Sequence, residues 1–169
     1  LFGAKVTLVP EEDKDSLPER MNEIANNYVE EGDHPLIIPL GASDAIGCWG
    51  YIQEGREMAE QFHQLGWQPD AIFVATGSGG TQAGLILGRS LFEIQSQVIG
   101  ISVSENSSYF REKISRILGE FNHEFHYQLI INPAEIRILD DYVGAGYGCA
   151  DQPLLEFIKH MARTEAVLL

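Results

Sequence analysis

The stretch Asp70–Gly88, DAIFVATGSGGTQAGLILG, decides how this chain is read. It opens on a β-branched apolar run, Ala71–Ala75, of the kind that forms a buried strand. It closes on a pattern with helical spacing. Between them, Ala75–Thr81 (ATGSGGT) carries almost no side chain. Gly77, Gly79 and Gly80 remove every Cβ that would keep a ligand away from the peptide N–H groups. A helix starting near Thr81 adds unpaired N–H groups and about half a positive charge at its N-terminus. Ser78 and Thr81 add hydroxyl donors. Open α/β sheets bind ligands outside the carboxyl ends of their strands. The junction therefore reads as a cradle for a phosphate dianion at the tip of a central strand, with no Lys or Arg required. The plain alternative is a glycine-rich turn that holds nothing. Gly84 and Gly88, one helical turn apart, are expected to let the helix lie close against the sheet.

Which phosphate is held is a separate question. A Walker A loop needs Gly-Lys-Ser/Thr, and there is no Lys here. The dinucleotide fingerprint needs a third glycine where Gln82 stands. Glu105 resembles the ribose-binding acid but lies further along than usual. Nucleotide binding is thus the secondary reading.

Outward from this junction, apolar runs alternate with amphipathic stretches. Strands are expected at Val6–Val9, Leu36–Leu40, Ala71–Ala75, Val98–Val103 and Ile136–Leu139. Helical stripes follow Met21, Ile24, Ala25 and Tyr28, with Ser16 as N-cap. Others follow Tyr51, Met58, Phe62 and Leu65, stopping at Gly66, and Phe110, Ile114, Ile117 and Leu118, stopping at Gly119. A last stripe follows Leu154, Leu155, Ile158 and Met161. All are expected to be core faces. The alternation argues an α/β three-layer fold, a mostly parallel sheet with helices on both faces.

The 169 residues fit one ordinary domain on length alone. With 11 basic against 25 acidic residues, the formal charge of −14 excludes nucleic acid and anionic membranes as favoured partners. Cys48 and Cys149 are too few for a disulfide framework and read as two buried, reduced thiols of a cytoplasmic protein. No apolar run has the length to cross a bilayer. The chain opens on LFGAKVTLVP without Met and closes on the apolar RTEAVLL, so a fragment is expected.

Two more stretches draw attention. Ile38–Gly55 (IPLGASDAIGCWGYIQEG) is again strand, small-residue turn and helix, with Ser43 and Asp44 as capping candidates. Asp140–Gly148 (DDYVGAGYG) presents Tyr147 between glycines, as a general acid, a stacking partner or a surface aromatic. His123 and His126 lack zinc-pair spacing and read as exposed loop residues. GASDAIG is no nucleophile elbow.

Taken in order, LFGAKVTLVP, IPLGASDAIGCWGY, VATGSGGTQAGL, DDYVGAGYG and LLEFIKHMARTEAVLL resemble the D-cysteine desulfhydrase and 1-aminocyclopropane-1-carboxylate deaminase family over nearly the whole chain. These are pyridoxal-phosphate enzymes with the tryptophan synthase β-subunit fold. GSGGT is more like the desulfhydrase branch. Asp44 is more like the deaminases, and Ala145 stands where desulfhydrases commonly have Pro. The resemblance implies that Gly77, Ser78, Gly79, Gly80 and Thr81 hold the phosphate of pyridoxal 5'-phosphate. Tyr147 would stand beside a small amino-acid substrate as acid/base or carboxylate-binding group. The implied reaction yields a 2-oxo acid and ammonia, and sulfide as well when the substrate is D-cysteine. A non-catalytic binder of a phosphorylated metabolite or nucleotide is the rival.

The family's Schiff-base lysine lies in an upstream motif that this chain lacks. Lys5, Lys14, Lys113 and Lys159 all read as surface residues, and the ring-contacting Asp-Pro-Val-Tyr that follows EAVLL in relatives is absent. The chain alone is therefore expected to be inactive and its full-length parent active, as a homodimer by resemblance. Residues 1 to roughly 65 would end the smaller domain, and 66–169 would belong to the larger, cofactor-binding one.

Overall fold

The computed structural model describes residues 3–168, apart from the side chains of Glu11, Lys14 and Asp15. The chain divides into two compact units at Leu40/Gly41.

In the first unit a 3-10 segment, Glu11–Ser16, runs into α1, Leu17–Glu30, with Pro18 in its first turn. Ser16 stands at the N-cap, but its hydroxyl donates backwards to the Asp13 carbonyl at 2.7 Å and accepts nothing from the helix. The reason is local: the 3-10 turn already leads continuously into α1. Two sequence expectations fail here. Val6–Val9 and Leu36–Leu40 form no ladder, because no strand among the described residues pairs with them, and a lone strand leaves its peptide groups without partners. Val6, Leu8 and Leu36 are exposed accordingly. The stripe of α1 buries no residue either.

The second unit holds α2 (Cys48–Leu65), β1 (Ala71–Thr76), α3 (Gly80–Leu91), β2 (Gln97–Ser102), α4 (Ser107–Glu124), β3 (Arg137–Leu139) and α5 (Gln152–Thr164). Its three strands are parallel, in the order β1-β2-β3. This is the expected α/β architecture of a parallel sheet with helices, and each of these strands starts and ends within one residue of its expected position. Among the described residues β1 is an edge rather than a central strand, paired with β2 on one side only, and on the face turned away from α3 its Phe73 is 64% exposed.

The core gathers α2, α3 and α4 on the sheet face that carries Val98 and Ile138. Ile52, Leu87, Phe110, Ile114, Ile117 and Phe121 are sealed in it. Each such side chain contributes about 1.5–3 kcal/mol by leaving water. Trp49 of α2 packs on Phe121 and Phe125 with ring centroids 5.4 and 5.3 Å apart, which ties the start of α2 to the end of α4.

Gly84 and Gly88 face α2 and not the sheet. A Cβ on Gly84 would stand 2.6 Å from Tyr51 Cβ, and one on Gly88 3.1 Å from Gly55 Cα. The sheet-facing position of α3 belongs instead to Gln82, two residues earlier and so on the opposite side of the helix. The buried stripe of α2 is Cys48, Ile52 and Gly55, one residue round from the expected one, and Tyr51 and Leu65 are exposed. α4 runs through Gly119 to Glu124, because Phe121 prolongs the buried stripe and offsets the helical cost of a glycine. α5 starts well, with Asp151 accepting from Leu154 N–H at 2.9 Å, yet it buries no residue. Its expected core stripe meets no packed partner among the described residues.

No helix of the described residues is long and apolar enough to cross a membrane. The thiols differ from expectation: Cys48 is buried but Cys149 is exposed, because it follows the glycine loop 144–148 and no described element covers it. Burial first, then the charges of Asp44 and Glu120, push Cys48 up to about 12. Thiol titration of the native protein at pH 8 is expected to give one fast group, Cys149. Cys48 should react only after denaturant is added, and two fast thiols would contradict the packing described.

Candidate phosphate site

β1 ends at Thr76 and α3 begins at Gly80, so Gly77, Ser78 and Gly79 make the whole turn. Gly79 is the N-cap at φ 88, a left-handed conformation that favours glycine, and it offers no side-chain oxygen to the first helical turn. Among the described residues no carbonyl or side chain accepts from the N–H of Gly77, Ser78, Gly79 or Thr81. Only the Gly80 N–H is taken, by Ser43 Oγ at 3.2 Å. Of the four, Gly79 is nonetheless buried, Ser78 and Thr81 are half-buried and Gly77 is exposed. Sheltered donors without acceptors are costly unless an incoming group satisfies them.

The second glycine-rich stretch folds onto the first. A Cβ on Gly41 would meet Ser78 Oγ at 2.5 Å, and one on Gly80 would meet Ser43 Oγ at 2.6 Å and Ser43 Cα at 2.9 Å. This contact separates the two capping candidates. Asp44 Oδ1 accepts from Gly47 N–H at 2.7 Å and so organises the turn into α2. Ser43, pressed against Gly80, donates to Ser78 Oγ at 2.7 Å instead. The Cys48 thiol lies beneath, 3.9 Å from the Gly80 carbonyl, and stays neutral where a thiolate would repel an anion.

Tyr147 is carried by a loop in which Gly144, Gly146 and Gly148 all have positive φ (62, 111 and 75). Its ring is 79% exposed, and its Cε2 lies 4.0 Å from where a Cβ on Gly77 would sit. The structure thus brings Tyr147 to the cradle. Asp140, at the root of the same loop, accepts from Ser107 N–H at 2.6 Å. That N–H first, with a smaller contribution from the Arg111 charge, holds its carboxyl below the usual range. Because the strands are parallel, the loops after β1 and β3 leave the same edge of the sheet.

Other candidates fall elsewhere. Glu105 is exposed beyond β2. His123 lies on α4, not in a loop, because the helix passes Gly119; His126 is exposed in the turn that follows. Among the described residues no three metal-ligating side chains cluster. Lys159 Nζ pairs with Glu156 at 3.0 Å, and Lys113 Nζ lies 5.6 Å from the Tyr109 ring centre, half-buried. Lys5 is exposed, and the Lys14 side chain lies outside the described residues.

Sequence reasoning missed one residue. Gln82, noted only as a missing glycine, is fully buried. Its Oε1 accepts from Thr76 Oγ1 at 2.8 Å, and its Nε2 donates to the Arg137 carbonyl at 2.9 Å. A polar residue inside an otherwise apolar helical stripe was the available signal.

Two outcomes test this geometry. Gly80→Ala drives a methyl into the backbone of Ser43 and is expected to cost about 1–3 kcal/mol in denaturant unfolding; a neutral effect would refute the close approach. Asp140→Ala is expected to lower the melting temperature at pH 7. A depressed carboxyl stabilises above its unfolded value of 3.8, so the gap to wild type should close as pH falls below that value. A gap independent of pH would remove the Asp140 carboxylate from the account.

The profile of the pyridoxal-phosphate dependent enzymes matches residues 1–169. A protein of Thermotoga maritima, named provisionally as a 1-aminocyclopropane-1-carboxylate deaminase, is 33% identical over all of this chain and 53% of its own length. A bifunctional D-cysteine desulfhydrase/1-aminocyclopropane-1-carboxylate deaminase of Arabidopsis thaliana, named as mitochondrial, is also 33% identical, over 42% of its length. The crystal structure of an ACC deaminase homologue superposes with a TM-score of 0.77 at 27% identity, covering 98% of this chain and 48% of that one. The chain spans about half the length of the curated relatives it matches (53% and 42%). It belongs to the family of pyridoxal-phosphate dependent enzymes.

Proposed function

We propose that this chain is the phosphate-holding part of a pyridoxal-phosphate dependent lyase that degrades a small amino acid, with D-cysteine as the first substrate. One observation carries the reading: four N–H groups, of Gly77, Ser78, Gly79 and Thr81, stand without partners among the described residues, in a turn where Gly77, Gly79 and Gly80 have no Cβ. Those residues fit the cofactor's phosphate in number, chemistry and position at the start of α3. With Gly80 they would hold it through backbone donors and the helix N-terminus, without a cation. Ser78, whose oxygen accepts from Ser43, has its own O–H to give. When bound, pyridoxal phosphate supplies the electron sink that lets an amino acid lose a proton or a ring bond.

Tyr147 would take or hold a proton at its phenolic oxygen, or bind the substrate carboxylate, at the mouth beside Gly77. Lys5, Lys14, Lys113 and Lys159 stand in no sequence like the family's Schiff-base lysine motif, so the covalent anchor of the cofactor would come from outside this chain. The fragment by itself would then be inactive, and the parent active as a homodimer. The edge position of β1, paired on one side only among the described residues, suits a sheet that continues in that parent. There, residues 1 to roughly 65 would close the smaller domain and 66–169 belong to the larger. α2 is then the passage between them, packed on α3 in the compact unit that begins at Gly41. A reducing, cytoplasmic setting suits the exposed free thiol of Cys149.

The Thermotoga and crystal-structure names favour 1-aminocyclopropane-1-carboxylate as a second substrate, and the Arabidopsis name unites both. Purified parent enzyme, loaded with pyridoxal phosphate, is expected to release sulfide and pyruvate from D-cysteine. Ammonia and a 2-oxo acid from the cyclopropane substrate alone would transfer the assignment to the deaminases. No cofactor uptake, with tight adenine-nucleotide binding, would overturn the enzyme reading for the rival binder.

A further inference from the structure

We propose that Gln82 is the positioning residue of the phosphate cradle, clasping both ends of the loop and fixing them to the sheet before the anion arrives. The proposal rests on the reading of residues 77–81 as that cradle. Thr76 is the last residue before the loop and Gln82 the first after it. Their side chains, 2% and 0% exposed, meet in one hydrogen bond of 2.8 Å that closes the loop on itself. The same amide then reaches past β2 and donates to the Arg137 carbonyl of β3 at 2.9 Å. That reach is open because Gly100, paired with Val74 and Ile138, lies directly under it. A Cβ there would overlap Gln82 Oε1 and stand 2.5 Å from Thr76 Oγ1.

The chemistry selects glutamine. The position needs an acceptor for a hydroxyl on one side and a donor for a carbonyl on the other. An ionised Glu offers no donor, Met offers neither group, and Asn is one methylene shorter. A loop whose N–H groups lack partners gains by closing onto other acceptors. Clamping both ends prevents that and leaves the donors arranged for a dianion, so little reorganisation opposes binding.

The test uses the full-length parent as apoenzyme, titrated with pyridoxal 5'-phosphate and, separately, with inorganic phosphate. Three variants are compared: Gln82→Met, the milder Thr76→Val, and Ser96→Ala. Ser96→Ala removes a different buried hydrogen bond, to the Pro69 carbonyl at the far end of the sheet. All three are expected to lower the melting temperature. Only Gln82→Met and Thr76→Val should weaken both ligands, by about tenfold for Gln82→Met. If Gln82→Met fails to fold, Thr76→Val carries the test. Cofactor and phosphate affinities unchanged in the two loop variants, or lowered equally by Ser96→Ala, would overturn the positioning role while leaving the proposed function intact. A wild-type parent that binds neither ligand would overturn both.

Discussion

The site depends on one buried polar contact, the hydrogen bond between Thr76 and Gln82. It spans residues 77–81, the three-residue turn after β1 with the first two residues of α3, and is sealed from water, where an amide–hydroxyl pair is strong and an orphaned partner is costly. Continued to the Arg137 carbonyl, it binds the cradle to the sheet across β2. The absence of a Cβ at Gly100 is the steric condition for all of it. Three facts that look unrelated in the chain, a buried Gln, a Thr at a strand end and a Gly in the middle strand, are thus one device.

On that anchored turn the electrostatics need no cation. The protein is acidic, at −14, and the groups that touch the cradle include the neutral hydroxyls of Ser43 and Ser78 and a thiol held protonated first by burial and then by the charge of Asp44. The attraction for a dianion comes from aligned backbone dipoles at the start of α3, which act over the first helical turn only. On the proposed reading, such a site would select a compact, doubly charged terminal group that penetrates to the backbone. Glycines on both sides of the approach, Gly41 against Ser78 and Gly80 against Ser43, bring the backbones close enough for this.

Much of the site was legible in the sequence, because glycine placement states where a Cβ is intolerable. The strand, the bare turn after it and the glycine-framed loop that carries Tyr147 were legible that way. What escaped were relations between distant residues. Nothing in the composition of GASD says that Ser43 turns to Gly80 while Asp44 organises its own helix. Nothing in a missing fingerprint glycine says that Gln82 spans the sheet. The fold was legible where apolar residues find a partner within the chain. The runs at Val6–Val9 and Leu36–Leu40 have strand composition, yet a ladder needs a neighbour, and the described residues supply none. The stripe of α5 has the right period for a packed helix but buries nothing. Periodicity reports which face a helix would bury; it carries no information on whether the covering element is present in the same stretch of chain.

The central claim is that the peptide N–H groups of residues 77–81 take up a phosphate dianion. Amide-resolved NMR of the parent enzyme, titrated with pyridoxal 5'-phosphate and with inorganic phosphate, tests it most directly. The account predicts that Gly77, Ser78, Gly79 and Thr81 shift together and saturate with the same affinity, while amides at the opposite edge of the sheet stay still. Saturable binding that leaves those four amides unmoved would contradict it.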